Sequence, residues 1–469
     1  MKSFIKILLL GIMFNVQCSM LNVAQAQKEI TSEMLQSLRN SYKSEGADKA
    51  LDNAVAANDP KILALNAESN VQFDTNFSNK INSKGITNQK GSGRCWLFSA
   101  LNVMRAPMIA KYNLGSFTFS QSYCFFYDQL EKSNLFLQAI IDNARKPMDD
   151  RTVDWLFHNP MSDGGTFCGA IDIITKYGVV PAEVMPETYS ANYTSTYSSL
   201  IKTKLREYGL TLRKLAAEGK NEKQLQAKKK EMLTVIYKML VRSFGQPPQQ
   251  FTYTLRDKDN KALSTKEYTP LSFYQEYVGK DLKGSYLMFM NDPSREMYKT
   301  YEIDLDRHTY DGTNWVFLNV PMDDIKQMAI ESIKDSTMMY MSCDVGKCND
   351  SKRGYSDPDI YNYGDIYGVD FPMNKAERIS TFASASTHAM SLMAVDLDAN
   401  GKPIKWMVEN SWGSTSGYNG YIIMSDRWLD EYLFRLVVDK KYVPEKLAEL
   451  SKQKPILLPA WDPLFSLEQ

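Results

Sequence analysis

The chain has 469 residues and sets 55 Lys and Arg against 55 Asp and Glu, with 43% hydrophobic and 12% aromatic content. A formal net charge of zero gives no reason to expect a nucleic-acid or membrane partner through bulk electrostatics. The apolar content is enough to bury large cores, and the length points to two or three globular domains.

Residues 1–26 have the form of a secretory signal peptide. Lys2 and Lys6 precede an apolar run from Ile7 to Val16, and Ala24-Gln25-Ala26 fits a small-residue cleavage site before Gln27. The run is far short of the ~20 residues of a membrane-spanning helix, so the mature chain is read as exported, to the periplasm. Cys18 leaves lipoprotein anchoring open, although Val16-Gln17 before it is a poor lipobox. No other segment is long and apolar enough to span a membrane. Residues 27–70 read as a polar, helix-prone N-terminal arm with Leu35, Leu38 and Tyr42 at helical spacing.

From residue 71 to 190 the pattern is mainly helical. Gly91, Ser92 and Gly93 allow a tight turn, and Leu97, Phe98, Leu101 and Met104 then recur at helical spacing. Cys95 is thereby expected at a helix N-terminus, where unpaired N–H groups and the dipole favour a thiolate. Gln89 supplies an amide donor, which with the Cys95 backbone N–H is suited to stabilising an oxyanion. A lone cysteine in an apolar run also fits a small buried hydrophobe. Downstream come a helical stretch from Gln121 to Leu130 and a helix that ends at Gly178.

Residues 191–312 read as a further, mainly helical region. Tyr197 to Phe244 carries long helical periodicity with a basic bias, including Lys228-Lys229-Lys230, which reads as a solvated helix face. Gln249 to Thr313 reads as mixed strand and loop. Residues 313–445 restart with a helix at Val320–Ile330 and a strand around Met338–Cys343. Ser386 to Val395 is a buried strand entered through His388, and Lys405 to Gly413 a second strand that ends near Asn410. The Asn400-Gly401 turn between them folds His388 to within two or three residues of Asn410. A histidine so placed takes the thiol proton, an asparagine orients it, and Trp412 covers the contact. His158 and His308 lie near no motif and read as structural or surface residues. Cys343 and Cys348 are spaced for a disulfide or a metal half-site, but no second half exists, and no metal or cofactor is expected. Residues 446–469 form a C-terminal arm in which Pro459, Pro463 and Trp461 suit an extended chain lying in a groove.

Gln89, Cys95-Trp96, His388-Ala389 and Asn410-Ser411-Trp412-Gly413 together resemble the papain-like cysteine peptidases. Gly93-Arg94-Cys95-Trp96-Leu97-Phe98, Gln121 to Asp128, Val408 to Gly413 and Leu458-Pro459-Ala460-Trp461-Asp462-Pro463 are similar, more narrowly, to the bleomycin hydrolase and aminopeptidase C family. The resemblance implies an α+β fold: a papain-like two-lobed core, with a helical lobe at 71–190 and an antiparallel β-rich lobe at 313–445. A large, mainly helical, hook-like insertion would occupy 191–312. His388 lies 293 residues after Cys95 (388 − 95), against ~130–150 in papain itself, which agrees with such an insertion. The resemblance also makes Gly164 and Gly165 the backbone rung that pairs with substrate. It brings the Gln469 carboxylate into the active-site cleft, makes peptides the substrates and implies a homohexamer. Papain relatives carry a disulfide where this chain has Ser92 and Ser162, so the fold looks inherited from a disulfide-free lineage. The reading is an exported cysteine aminopeptidase with an acyl-enzyme intermediate. The alternatives are an endopeptidase and a catalytically silent or nucleic-acid-binding scaffold.

Overall fold

A computed structural model describes residues 29–70 and 74–465. The signal-peptide reading, Cys18 and Gln469 lie outside these residues. The described chain divides into two compact units, one made of residues up to 65 with 361–370, the other of 66–360 with the rest.

In the first unit, helices α1 (Ser32–Ser41) and α2 (Ala47–Ala57) contain no buried residue. The Thr31 hydroxyl caps α1 by accepting from the Met34 N–H, and Leu35, Leu38 and Tyr42 are all exposed. Leu65 pairs with Tyr361 in an antiparallel bridge.

The second unit is built on α3 (Cys95–Lys111), α4 (Gln121–Asp142), α5 (Arg151–His158), α6 (Phe167–Tyr177), α7 (Ser195–Ala217), α8 (Glu222–Phe244) and α9 (Met322–Lys334). Its main strands are β1 (Tyr286–Met290), β2 (Thr300–Ile303), β3 (Val316–Asn319), β4 (Met339–Cys343), β5 (His388–Leu397), β6 (Pro403–Glu409), β7 (Tyr421–Ser425), β8 (Leu433–Asp439) and β9 (Ile456–Leu458). One twelve-stranded sheet runs β9-β2-β3-β1-β8-β4-β5-β6-β7 and ends in the short strands Tyr355–Ser356 and Asn349–Asp350. Asn79–Lys80 pairs with β5 off this path. Two of these strands, β1 and β2, lie in the span read from sequence as insertion. The rest of that span holds α7 and α8, joined by a short connection and packed on α4, and a separate hairpin of Phe251–Arg256 with Ala262–Tyr268.

Two elements position the site. In α3, Trp96, Leu97, Phe98 and Leu101 are buried, each worth roughly 1.5–3 kcal/mol, and the helix packs on β5. A helix apolar on every side needs a core around it. Eight consecutive residues of β5 from His388 are buried, the pattern of a strand covered on both faces. The β5–β6 hairpin turns at Asp398–Lys402, where the Asp398 carboxylate accepts from the Asn400 and Lys402 N–H groups, both at 2.8 Å. The register places Ser391 opposite Glu409, and hence His388 near Asn410.

The C-terminal arm is held along its described length. Strand β9 pairs parallel with β2, the Asp462 carboxylate accepts from Arg295, Arg151 lies over the Trp461 ring, and Leu464 and Phe465 are buried. All five cysteines from Cys95 to Cys348 are free thiols, so Cys343 and Cys348 are not bridged. In the basic run, Lys228 pairs with Glu231 and Lys229 donates to Gln138, so part of its charge is engaged within the protein.

Candidate active site

Leu97 N and Phe98 N both bond the Arg94 carbonyl at 3.0 Å, which makes Arg94 the cap and Cys95 the first residue of α3. The half-buried sulfur accepts from the Ala389 N–H at 3.5 Å. That contact joins the helix start to the start of β5, beside His388. Asn410 Oδ1 lies 2.8 Å from His388 Nε2 and 2.8 Å from the Ser411 N–H. A backbone N–H only donates, so Oδ1 is the acceptor for both, Nε2 carries the proton, and Nδ1 is left as the basic nitrogen. Burial pushes the His388 imidazole down to about 4, with the Asn410 bond opposing, so the resting ring is neutral. The Trp412 ring lies over it at 4.7 Å.

Gln89 is fixed at both ends of its amide. Its Nε2 donates to Ser92 O at 2.6 Å and its Oε1 accepts from the Ser411 hydroxyl at 2.6 Å. Backbone bonds from Gln89 N to Ser411 O and from Gly413 N to Thr87 O lash this loop to the Asn410 segment. Cys95, His388, Asn410 and Gln89, which are distant in sequence, therefore meet at one place. Gly164 and Gly165 lie beside it, since a Cβ on Gly165 would fall 2.7 Å from the Trp96 ring. His158 is exposed and bonded within its own helix turn, away from these groups.

The Peptidase C1-like family model matches residues 29–465. The chain belongs to this family. Mouse (Mus musculus) bleomycin hydrolase is 41% identical over 395 residues, 82% of this chain and 87% of that protein. Aminopeptidase C of Listeria monocytogenes is 39% identical over 444 residues, 94% of this chain and 99% of that protein. The crystal structure of PepW from Lactobacillus rhamnosis matches with a TM-score of 0.90 at 38% identity, over 93% of this chain and 98% of that one. The protein is a cysteine-type peptidase with a mixed helix-and-sheet fold.

In this peptidase hydrogen bonds tie the turn before Cys95 to the segment before the glycine pair. Asp163 Oδ2 accepts from the Gly93 N–H at 2.7 Å and from the Thr194 hydroxyl, while the Asp163 carbonyl accepts from Trp96 Nε1 at 2.9 Å. Gly93 is required here, because a Cβ would sit 2.4 Å from Asp163 Oδ1. Arg94, wholly buried, bonds Ser92 Oγ at 3.0 Å and pairs with Glu187 through both terminal nitrogens, at 3.1 and 2.7 Å. Such a bidentate pair fixes direction as well as distance. The turn before Cys95 is thus anchored from inside.

Beneath the glycine rung sits a buried charge cluster that no local motif announces. Lys132 donates to the Ser162 and Gly164 carbonyls and pairs with Asp128 at 3.0 Å. Asp128 in turn accepts from His308 Nδ1 at 2.6 Å. Burial, then the Lys132 charge, push the His308 imidazole down, while Lys132 and His308 hold the Asp128 carboxyl below its usual range against its own burial. The His308 ring occupies the space that Gly165 and Gly169 leave, since a Cβ on either would meet it at 2.3 Å. His308, read from sequence as structural or surface, is a buried structural residue that shapes the rung. Its partner lies 180 positions away in the sequence.

Proposed function

We propose that this peptidase is an exported aminopeptidase acting on small or partly degraded peptides, with Cys95 as nucleophile. His388 Nδ1 takes the thiol proton, and the thiolate attacks the carbonyl of the N-terminal residue. The oxyanion receives the Cys95 N–H and the second N–H of the Gln89 amide, the first being held by Ser92 O. As the intermediate collapses to a thioester, the His388 proton goes to the leaving amine. Water, deprotonated by His388, then releases the amino acid and restores the thiol. Asn410 keeps Nε2–H directed throughout. The neutral resting ring suits the first step, because the charge it gains is matched by the thiolate formed beside it.

The observation that carries the exopeptidase reading is the docked C-terminal arm. Phe465 and the glycine rung line one cavity. An arm docked beside the rung occupies the side from which a substrate would continue upstream of its scissile bond. That leaves less room for further residues upstream and so favours short N-termini. Mass spectrometry of the products of a defined peptide tests this. A ladder losing one N-terminal residue at a time is expected, with the acetylated peptide refused; internal cuts of the acetylated peptide would reject the reading.

Export and homohexamer assembly belong to the same proposal. The signal-like residues 1–26 support the first, and the exposed apolar side chains of α1 the second, since Met34, Leu35 and Leu38 are exposed among the described residues. Intact-mass and light-scattering measurements on periplasmic protein should give a chain starting near Gln27 and a particle of about six subunits. A diacylated Cys18, or a monomer at micromolar concentration, would overturn the respective part.

A further inference from the structure

Of the two oxyanion donors named above, one is a backbone N–H fixed at the start of α3. The other is the side-chain amide of Gln89, which several rotatable bonds leave free to swing unless its neighbours hold it. Ser92 holds it twice over: its carbonyl accepts from Gln89 Nε2 and its hydroxyl donates to Gln89 O, both at 2.6 Å. A serine hydroxyl has one proton and can turn it toward any acceptor in reach. Here Arg94 Nε donates to the same oxygen at 3.0 Å, so the proton is directed away from the guanidinium and onto Gln89 O. Arg94 is itself fixed. Glu187 takes both of its terminal nitrogens, Ser122 Oγ donates to Glu187 at 3.1 Å, and the guanidinium lies 5.1 and 5.3 Å from the Phe98 and Phe125 rings.

A buried cation one residue before a nucleophilic cysteine would ordinarily serve to stabilise the thiolate. The contacts of Arg94 point elsewhere. Its Nε is engaged by Ser92 and its two terminal nitrogens by Glu187, whose carboxylate offsets its charge, so what it supplies is direction. We infer that Arg94, held by Glu187, is a positioning residue for Gln89: it acts through the Ser92 hydroxyl to keep the second amide N–H of Gln89 aimed at the oxyanion. The inference rests on the role given to Gln89 above.

The test compares two reactions of Cys95. Peptide hydrolysis passes through an oxyanion, whereas alkylation by iodoacetamide displaces iodide in one step and forms none, so only hydrolysis needs the amide. Gln89→Ala sets the scale: kcat/KM should fall about 10²-fold while the alkylation rate stays within about twofold of the parent. Ser92→Ala, which removes the hydroxyl and keeps the carbonyl, should lower kcat/KM about tenfold with alkylation again unchanged. Arg94→Met joined with Glu187→Gln removes both charges together and should do the same, with the parent's pH profile of alkylation retained. If that pair of substitutions prevents folding, Glu187→Gln alone, at a side chain 26% exposed, should lower hydrolysis about threefold and leave alkylation as it was. Because the effect runs through Gln89, Ser92→Ala should cost nothing further on the Gln89→Ala background. Hydrolysis at the parent rate in the Ser92 or Arg94 and Glu187 variants, a Ser92→Ala cost that is the same with and without Gln89, or alkylation slowed as much as hydrolysis would overturn the inference. An alkylation profile moved to higher pH would overturn it too, by assigning Arg94 to the thiolate. A Gln89→Ala variant that keeps the parent rate is a different failure, since it removes Gln89 from the oxyanion site altogether.

Discussion

Replacing Cys95 with alanine is expected to lower peptide hydrolysis by more than about 10⁴-fold, while the urea midpoint moves little. Cys95 is half-buried, and the bond its sulfur takes from the Ala389 N–H is long, so its loss removes little packing. Among the described residues no other thiol is placed to substitute. Burial raises the pKa of Cys124, Cys168, Cys343 and Cys348, which keeps each of them in the unreactive protonated form. Iodoacetamide at limiting concentration should accordingly label Cys95 first, at a rate that parallels loss of activity. Asn410→Ala should cost less, about 10²-fold, because it removes the acceptor of Nε2–H and leaves both nucleophile and base in place. First labelling at Cys124 or Cys168, or an alanine variant that retains turnover, would remove Cys95 from the mechanism.

The residues that meet at the site were readable because they combine residue type with a local pattern. Cys95 follows a glycine-rich turn and opens an apolar helix, and His388 and Asn410 flank an Asn-Gly hairpin whose two register irregularities, at Leu392–Ala394 and Asp396–Leu397, offset each other so that Ser391 still meets Glu409. What holds them was not readable. Arg94 and Glu187 are 93 positions apart, and Arg105 and Glu409 are 304 apart. A single arginine within an apolar run gives no sign of whether it reaches solvent or a buried carboxylate, because helical periodicity carries no information about partners so distant. Strands β1 and β2 were blurred for a related reason. They are only five and four residues long and sit among loops rich in Tyr, Asp and Lys, so their pairing in the sheet comes from neighbours far along the chain. The arm is a mixed case: Trp461 and the prolines announced an anchored segment, but only Ile456–Leu458 is extended, and Pro459 to Phe465 folds into two turns closed by Asp462 N–Pro459 O at 3.1 Å and Phe465 N–Asp462 O at 3.0 Å. Arg295 as the partner of Asp462 was not foreseen.

Breaking the Arg105–Glu409 pair should produce the largest loss of stability available from one substitution near the site. The two groups meet at 2.7 Å with side chains 3% and 0% exposed. Arg105 also donates to the Gly85 and Phe117 carbonyls and to Thr118 Oγ1. Glu409 Oε2 meets no donor among the described residues, so the carboxylate depends on Arg105 for its countercharge. Arg105→Met leaves a buried anion without one, at a cost of about 3–5 kcal/mol. Joining Arg105→Met with Glu409→Met removes both charges, and a pair of this kind replaced by apolar groups of similar volume is often close to neutral. The double variant should thus be more stable than Arg105→Met alone, a coupling that a double-mutant cycle in urea measures directly. Activity need not follow stability. Arg105 lies on α3 with Cys95 and Glu409 immediately precedes Asn410, so the pair ties the Cys95 helix to the segment that holds His388 Nε2. Recovered stability with kcat still reduced in the double variant is the expected outcome, and it would mark the pair as a positioning contact. Additive costs, or a single substitution costing under about 1 kcal/mol, would show that the bridge is incidental.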